Sequence, residues 1–286
     1  MVFKVQPRRL LQIGNLLIAL AVGAAAPGFA EAGALDEAKS DGVIIAIANE
    51  PPYAFMNADG APTGAGPELD KAILREAGIT KFSGNVMEYG AMIPAVQSGR
   101  ATFASVGSLV INKERCQNVI FSEPLICDGG SFVLANALES KIKTVEDIAA
   151  AGLKVGVCGG CVSHTLATKA GIPDDKIIIF PDANSGLKLL ADGRIDVFFH
   201  DTLSTSRLYK TLVDNSAFRY EPLTSVPISC QGAAFNKSDT DLRDAYNEGI
   251  RKVKASGEYI EILKKFNFEG AAFGVDTVNT EQLCNR

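Results

Sequence analysis

The sequence predicts an α/β protein of two lobes, each a sheet flanked by helices, facing one another across a cleft. Short apolar runs alternate with amphipathic helical stretches, the pattern of parallel sheets with crossover helices. The alternation occurs twice along the 286 residues, and two further helical stretches follow near the end. Two such cycles with returning helices predict lobes joined by more than one crossover. A cleft between them would bind ligand at the carboxyl ends of the strands.

The first cycle starts with the apolar run VIIAIA at 43–48, which predicts a strand and is followed by a Pro/Gly-rich loop. A helix is predicted over 67–78, because Pro67 suits a helix start and Gly78 a helix end. The cycle then continues with a strand at 81–89, a helix at 91–99 and a strand at 100–108.

The second cycle follows the run GSFVLAN. Its predicted elements are helices at 144–152, 162–171 and 185–193 and strands at 153–157, 176–180 and 195–199. Two amphipathic helices are predicted at 240–256 and 257–266. We therefore expect a first lobe at 31–134, a second lobe at 135–229, and a return segment at 230–286 that completes the first lobe.

Residues 1–30 have the features of a signal peptide. A basic start containing Arg8 and Arg9 precedes a run of small and apolar residues, and 28–30 has the small-x-small form that signal peptidase requires. A membrane anchor is the alternative, but the apolar run is shorter than the roughly 18 to 20 residues that span a bilayer. We expect cleavage near Ala30 and a protein exported to the periplasm.

The composition argues against several classes of function. The formal net charge is −5, and the chain has no basic cluster suited to nucleic acid or an anionic membrane. Two histidines leave little material for a zinc site. Phosphate-binding and hydrolase motifs are missing from the sequence. We expect a monomer with no cofactor, no metal and no catalytic residues.

Three positions are candidates for binding a charged ligand. Glu50, in the loop after the first strand, would bind a small cation together with the ring of Tyr53; alternatively Tyr53 is a core residue and Glu50 is solvated. Arg115 would hold a carboxylate through two parallel hydrogen bonds, or it is a surface arginine. Asp201 follows a predicted strand of the second lobe and would bind a ligand ammonium.

Cys158 and Cys161 lie two residues apart at a predicted turn from strand to helix. Disulfide oxidoreductases also place C-x-x-C there, but the oxidising compartment favours a structural bond. The helix start after Cys161 offers backbone N–H groups to a carboxylate. Six cysteines allow many pairings. The other two expected pairs are Cys116–Cys127 and Cys230–Cys284.

Several stretches resemble the polar amino acid branch of bacterial extracellular solute-binding proteins, family 3, the periplasmic partners of ABC importers. They are ANEPPYAFMNADGAPTGAGPEL, INKERCQNVIFSEPLIC, GIPDDKIIIFPDANSGLKLLADGRID and the terminal helical pair. The resemblance covers 43–266 and is greatest to ectoine- and hydroxyectoine-binding proteins. It implies a type II periplasmic binding protein fold that closes over one small zwitterion and delivers it to a membrane permease.

The resemblance also implies a set of binding residues. These are Glu50, Tyr53, Tyr89, Ser108, Val110, Arg115, Cys161, Val162 and Asp201. Arg115 matches the carboxylate clamp of the family, and Asp201 matches the ammonium-binding aspartate of the amino-acid binders. Val110 stands where the ectoine-type proteins have an aromatic residue. The ligand is therefore an amino acid or an ectoine-like solute, and both remain open.

Two other functions are compatible with the sequence. Some relatives on this fold are dehydratases of cyclohexadienyl acids, and Glu50 would be the general acid of such an enzyme. Alternatively, Cys158 and Cys161 would form a thiol–disulfide exchange centre.

Overall fold

The fold was taken from a computed structural model, which describes residues 33–138, 141–212 and 215–286. The expected signal peptide and its cleavage site lie outside these residues. Within the described ranges, no helix is both long and apolar enough to cross a membrane.

The strands in chain order are β1 (Val43–Ile47), β2 (Phe55–Met56), β3 (Pro62–Thr63), β4 (Phe82–Val86), β5 (Phe103–Ala104), β6 (Ile120–Phe121), β7 (Ile126–Asp128), β8 (Gly130–Ala135), β9 (Val155–Cys158), β10 (Ile177–Phe180), β11 (Val197–Asp201), β12 (Phe218–Leu223), β13 (Ser229–Gln231) and β14 (Ala234–Phe235). The α-helices are α1 (Ala34–Asp41), α2 (Ala65–Arg75), α3 (Tyr89–Gln97), α4 (Lys113–Cys116), α5 (Val145–Ala150), α6 (Val162–Lys169), α7 (Ala183–Ala191), α8 (Thr202–Tyr209), α9 (Thr240–Ser256), α10 (Glu258–Lys265) and α11 (Thr280–Cys284). Short 3-10 helices lie at Asp174–Lys176, Asn215–Ala217, Glu269–Ala272 and Val275–Thr277.

The first lobe is built on a sheet with the strand order β4-β1-β5-β14-β6. Strand β1 runs parallel to β4 and β5, whereas β14 is antiparallel to β5 and β6. Helices α2, α9 and α10 pack against one another on this lobe. Its core includes the fully buried side chains of Ile45, Leu69 and Phe235. The return segment therefore completes the first lobe, since β14, α9 and α10 belong to it.

The second lobe is built on a sheet with the order β10-β9-β11-β8-β12. Strand β9 is parallel to β10 and β11, and β8 is antiparallel to β11 and β12. Strand β8, which begins at Gly130 within the range 31–134 expected for the first lobe, belongs to this second sheet. The expected α/β architecture of two sheet-containing lobes is confirmed.

The chain crosses between the lobes along two paired strands. Strand β7 leads out of the first lobe, β13 leads back, and the two are antiparallel with Cys127 opposite Cys230. A disulfide joins these two cysteines, and their Cα atoms are 4.0 Å apart. The crossings are therefore held side by side at one place, which forms the hinge.

Two of the three expected disulfide pairings are wrong. The structure bonds Cys127 to Cys230 and Cys116 to Cys284, whereas we expected Cys116–Cys127 and Cys230–Cys284. The pairs form because β7 lies against β13 and because α11 packs on α4. Both contacts join segments more than 100 residues apart, so sequence spacing gave no indication of them. The third bond joins Cys158 to Cys161, the pair that the sequence favoured.

The buried carboxyl group of Asp70 connects three elements beneath the cleft. Asp70, on α2, accepts hydrogen bonds from the Ser105 hydroxyl at 2.5 Å, the Tyr246 hydroxyl at 2.5 Å and the Val106 N–H at 3.3 Å. Burial raises the pKa of Asp70 to about 7, against the lowering effect of these three donors. The network ties α2 and α9 to the loop after β5, which carries Ser108 to the cleft.

We expect Asp70→Ala to lower the free energy of unfolding by about 3 kcal/mol, because three buried donors would lose their acceptor. Urea denaturation at pH 7 measures this change. The exposed Asp59 provides the control, and Asp59→Ala should change the value by no more than about 0.5 kcal/mol. Equal denaturation midpoints for the two variants would show that the network contributes little to stability.

Candidate functional site

A cavity that is partly open to solvent lies between the two lobes. The first lobe and the crossing strands line it with Tyr53, Tyr89, Gly107, Ser108, Val110, Arg115, Asp128, Ser229 and Gln231. The second lobe lines it with Gly129, Gly130, Cys161, Val162, Ser163, Leu166, Phe199, His200, Asp201 and Val226.

The guanidinium of Arg115 lies at one end of the cavity and touches both lobes. It donates to the Val110 carbonyl of the first lobe at 3.0 Å and to the Gly160 carbonyl of the second lobe at 2.7 Å. Removal from water lowers the pKa of Arg115 to about 10, so the group stays cationic at neutral pH. The guanidinium has five donors, so these two bonds leave others for an anion.

Helix α6 begins beside Arg115 and adds to the positive potential. Cys161 is its N-cap and makes no side-chain capping bond. The first N–H groups of a helix have no partner within the helix, and they carry the positive end of its dipole. The Cys158–Cys161 disulfide closes the preceding turn. This end of the cavity is therefore suited to a carboxylate.

The lobes approach each other closely at Gly160, which has a positive φ of 79°. A β-carbon at this position would lie 2.9 Å from the Gly90 Cα of the first lobe. Gly160 thus allows contact between the lobes and presents its carbonyl to Arg115.

Acidic side chains gather at the other end of the cavity around His200. The Nδ1 atom of His200 is 2.5 Å from Asp201 Oδ2, and its Nε2 atom is 3.8 Å from Glu50 Oε2. Glu50 also accepts a hydrogen bond of 3.4 Å from the Ala183 N–H at the start of α7. Glu50 belongs to the first lobe and the other residues to the second. The group therefore crosses the cleft.

Burial and mutual charge determine the protonation of this group. Burial raises the pKa of Glu50 to about 7, with His200 opposing the shift and Asp201 adding to it. Burial disfavours the charged imidazole, but Asp201 and Glu50 outweigh it and raise the pKa of His200 to about 9. His200 in turn lowers the pKa of Asp201 against the effect of burial. At neutral pH the cluster therefore pairs the Asp201 carboxylate with one imidazolium, beside a Glu50 carboxyl group that titrates near pH 7.

Asp128 adds a further carboxyl group at the hinge. It accepts hydrogen bonds from the Tyr53 hydroxyl at 3.0 Å and from the Leu203 N–H at 2.9 Å. Burial and the neighbouring Asp201 raise the pKa of Asp128 to about 8. Tyr53 is only 3% exposed and packs edge-on against Phe268, so it serves the core as well as the cavity.

The structure brings the sequence-predicted residues together. Eight line the cavity: Tyr53, Tyr89, Ser108, Val110, Arg115, Cys161, Val162 and Asp201. Glu50 lies behind them against His200. Asp201 also caps α8 through the Ser204 N–H, a structural role that the sequence analysis missed.

Sequence reasoning did not identify Asp128, His200 or Gln231 as cavity residues. His200 directly follows the strand predicted at 195–199, and the sequence analysis gave it no role beyond counting it as one of two histidines. Asp128 and Gln231 lie on short crossing strands that no pattern predicted. The side-chain oxygen of Gln231 is buried and has no hydrogen-bond partner within the described part of the chain. The one sequence feature that could have indicated these residues is an isolated polar residue beside a short apolar run.

The raised pKa of Glu50 should make stability depend on pH. The folded protein holds this proton up to about pH 7, whereas the unfolded chain releases it near 4.5. The stabilisation is therefore complete below about pH 4.5 and is lost as the pH rises through 7. Urea denaturation of Glu50→Gln should show a decline between pH 4.5 and 7.5 that is smaller than that of the wild type by up to about 3 kcal/mol.

The exposed Glu88, changed to glutamine, is the matched control for this measurement, and its pH profile should follow that of the wild type. Identical profiles for Glu50→Gln and the wild type would contradict the assigned protonation of Glu50.

Comparisons with known proteins agree with this architecture. The profile of the bacterial extracellular solute-binding proteins, family 3, matches residues 43–269. The structure of EhuB in complex with hydroxyectoine superimposes with a TM-score of 0.81 at 37% identity, covering 87% of this chain and 97% of that one. An ancestral arginine-binding protein bound to arginine gives a TM-score of 0.69 at 27% identity, covering 78% of this chain and 96% of that one.

Two relatives also match over most of their length. The probable amino-acid ABC transporter periplasmic-binding protein y4tE of Sinorhizobium fredii (strain NBRC 101917 / NGR234) is 26% identical over 259 residues, covering 88% of this chain and 86% of that protein. The L-cystine-binding protein TcyJ of Escherichia coli (strain K12) is 25% identical over 266 residues, covering 92% of this chain and 95% of that protein. The chain thus has the two-lobed fold of periplasmic solute-binding proteins. It belongs to the bacterial extracellular solute-binding proteins, family 3, and is the solute-binding component of an ABC transporter rather than an enzyme.

Proposed function

We propose that the cleft captures a small zwitterion with its carboxylate at Arg115 and its cationic group at the acidic end. The observation that carries this proposal is the contrast between the two ends of one cavity, a guanidinium at one end and a cluster of carboxyl groups, which a bound cation would ionise, at the other. Arg115 and the start of α6 form the positive end. The carboxyl groups of Glu50, Asp128 and Asp201 surround one histidine at the other end. Tyr53 and Tyr89 contact the body of the solute.

The acidic end favours a solute with a primary ammonium, such as an amino acid. An ammonium carries three donors, which suits several carboxylates around one point. Val110 lines the cavity without offering a ring, which weakens the case for a delocalised ring cation. The similarity to EhuB, solved with hydroxyectoine, supports ectoines as the second candidate. Similarity to arginine- and L-cystine-binding proteins supports the first.

Closure of the two lobes would produce the form of the protein that the membrane permease recognises. Arg115 and Glu50 each reach from the first lobe to the second, so a solute that bridges them would favour the closed arrangement. We further propose that the protein acts as a monomer, binds no nucleic acid, and is exported to the periplasm with cleavage near Ala30.

A thermal-shift screen of ligand-stripped protein tests the solute class. The screen contains the common amino acids, ectoine, hydroxyectoine and glycine betaine. A solute at about 100 times its Kd stabilises the folded state by about 2.7 kcal/mol, which corresponds to a rise in Tm of roughly 5–10 °C. We expect this rise with an amino acid. A rise with ectoines alone would reassign the acidic end to a ring cation, and no rise with any compound would contradict the proposal.

Arg115→Lys should weaken binding of the solute found in this screen by about 10- to 100-fold, because lysine cannot form two parallel bonds to a carboxylate. Isothermal titration calorimetry measures the change. Arg100→Lys is the control, since Arg100 is exposed and contacts Ser98 outside the cavity. Unchanged affinity in Arg115→Lys would place the solute carboxylate elsewhere.

A further inference from the structure

Glu50 and His200 face each other across the cleft at a distance that suits no direct bond. Glu50 Oε2 and His200 Nε2 are 3.8 Å apart, whereas hydrogen bonds of this type span about 2.7–3.2 Å. Both residues are buried, at 2% and 6% exposure. Neither Glu50 Oε1 nor His200 Nε2 has a hydrogen-bond partner of normal geometry among the described residues. Buried polar atoms without a partner are costly, so the arrangement favours a third species between the two side chains.

We propose that this gap between Glu50 and His200 is a binding site for a divalent transition-metal ion, with Asp201 holding the imidazole in place. Nitrogen and oxygen ligands lie about 2.0–2.1 Å from zinc, which puts two ligands of a tetrahedral ion about 3.4 Å apart. The observed 3.8 Å is close to this separation. Ligand atoms of Glu50, His200 and Asp201 all lie within 4.8 Å of one another.

The surroundings of His200 match the second shell of a metal site. Histidines that bind metals usually direct the other ring nitrogen to a carboxylate, which fixes the ring orientation. Asp201 Oδ2 is 2.5 Å from Nδ1 of His200, which directs Nε2 toward Glu50. The rings of Phe180 and Phe198 lie 5.9 and 5.8 Å from the imidazole and shield it on the apolar side. Asp201 itself is held by the Ser204 N–H, so the imidazole is supported by a fixed element.

An ion in this position would displace the Nε2 proton of the His200 imidazolium. It would join the two lobes, because Glu50 belongs to the first lobe and His200 to the second. Its remaining coordination positions would face the cavity, which His200 and Asp201 line. A solute amine or carboxylate, or water, would complete the coordination shell. The site is therefore separate from the carboxylate end at Arg115 and coincides with the acidic end, where the proposed function places the cationic group of the solute. The sequence alone argued against zinc because the chain has two histidines, and one histidine between carboxylates is enough here.

Titration of EDTA-treated, dialysed protein with zinc chloride in the absence of solute tests the site by isothermal titration calorimetry. We expect a single zinc ion per chain. His200→Gln and Glu50→Gln should each weaken its binding by at least about tenfold. His164→Gln removes the other histidine of the chain, which lies on α6 outside the cavity lining, and should bind zinc as the wild type does.

Cobalt(II) provides a second measurement that does not depend on a single variant. Its visible absorption spectrum should change on addition of the protein and should be insensitive to His164→Gln. The change should be lost in Glu50→Gln as well as in His200→Gln, so the test stands if one variant fails to fold. Equal zinc affinity in the wild type and both site variants would overturn the site.

The metal titration is independent of the proposed solute function. Zinc binding that is lost in His164→Gln, or no zinc binding at all, would overturn the metal site while leaving a solute-induced rise in Tm unaffected. If His200→Gln abolished the solute shift but left zinc affinity unchanged, the gap would belong to the cation of the solute and the metal site would be wrong.

Discussion

The paired crossing of the chain at β7 and β13 is the constraint on which the rest of the structure depends. The two strands are antiparallel, and Cys127 is bonded to Cys230 at the centre of their pairing. This places both connections between the lobes on one line, so that the lobes move about a single hinge. The same strands carry Asp128 and Gln231 to the cavity. The hinge strands therefore also line the cavity.

The distribution of charge in the cleft explains why closure and capture are coupled. Three carboxyl groups, from Glu50, Asp128 and Asp201, lie at one end around the single imidazole of His200, and burial raises the pKa of Glu50 to about 7 and that of Asp128 to about 8. Bringing the lobes together removes these groups from water, and desolvation disfavours their charged forms. A cation in the cleft lowers this cost. A bound cation thus stabilises the closed arrangement more than the open one, which is the differential affinity that any ligand-driven transition needs.

The local pattern of apolar and polar residues predicted most helices and strands, but it did not predict contacts between segments that are distant in sequence. Helix α9 has the bounds 240–256 that its amphipathic pattern indicated, whereas α2 begins at Ala65, ahead of the predicted start. The strand predicted at 100–108 is reduced to β5, because the chain turns into the cleft at Ser105. His200 lies between the apolar Phe199 and the predicted binding residue Asp201, and nothing in the sequence indicated that it faces Glu50 of the other lobe. Whether a strand residue faces the other lobe depends on how the lobes pack. The alternation of apolar and polar residues along the strand does not determine it.

Arg115 shows how a binding group is held by parts of the chain distant in sequence. Its neighbour Cys116 is bonded to Cys284, in a tail that lies beyond the region matched by the family profile. The tail is fixed further by Thr280, whose hydroxyl donates to the Ser122 carbonyl at 2.6 Å. A four-residue helix such as α4 is marginal by itself, and this cross-link holds it in place. Because the guanidinium also donates to Gly160, the proposed recognition of a carboxylate and the observed contact between the lobes rest on the same anchored side chain.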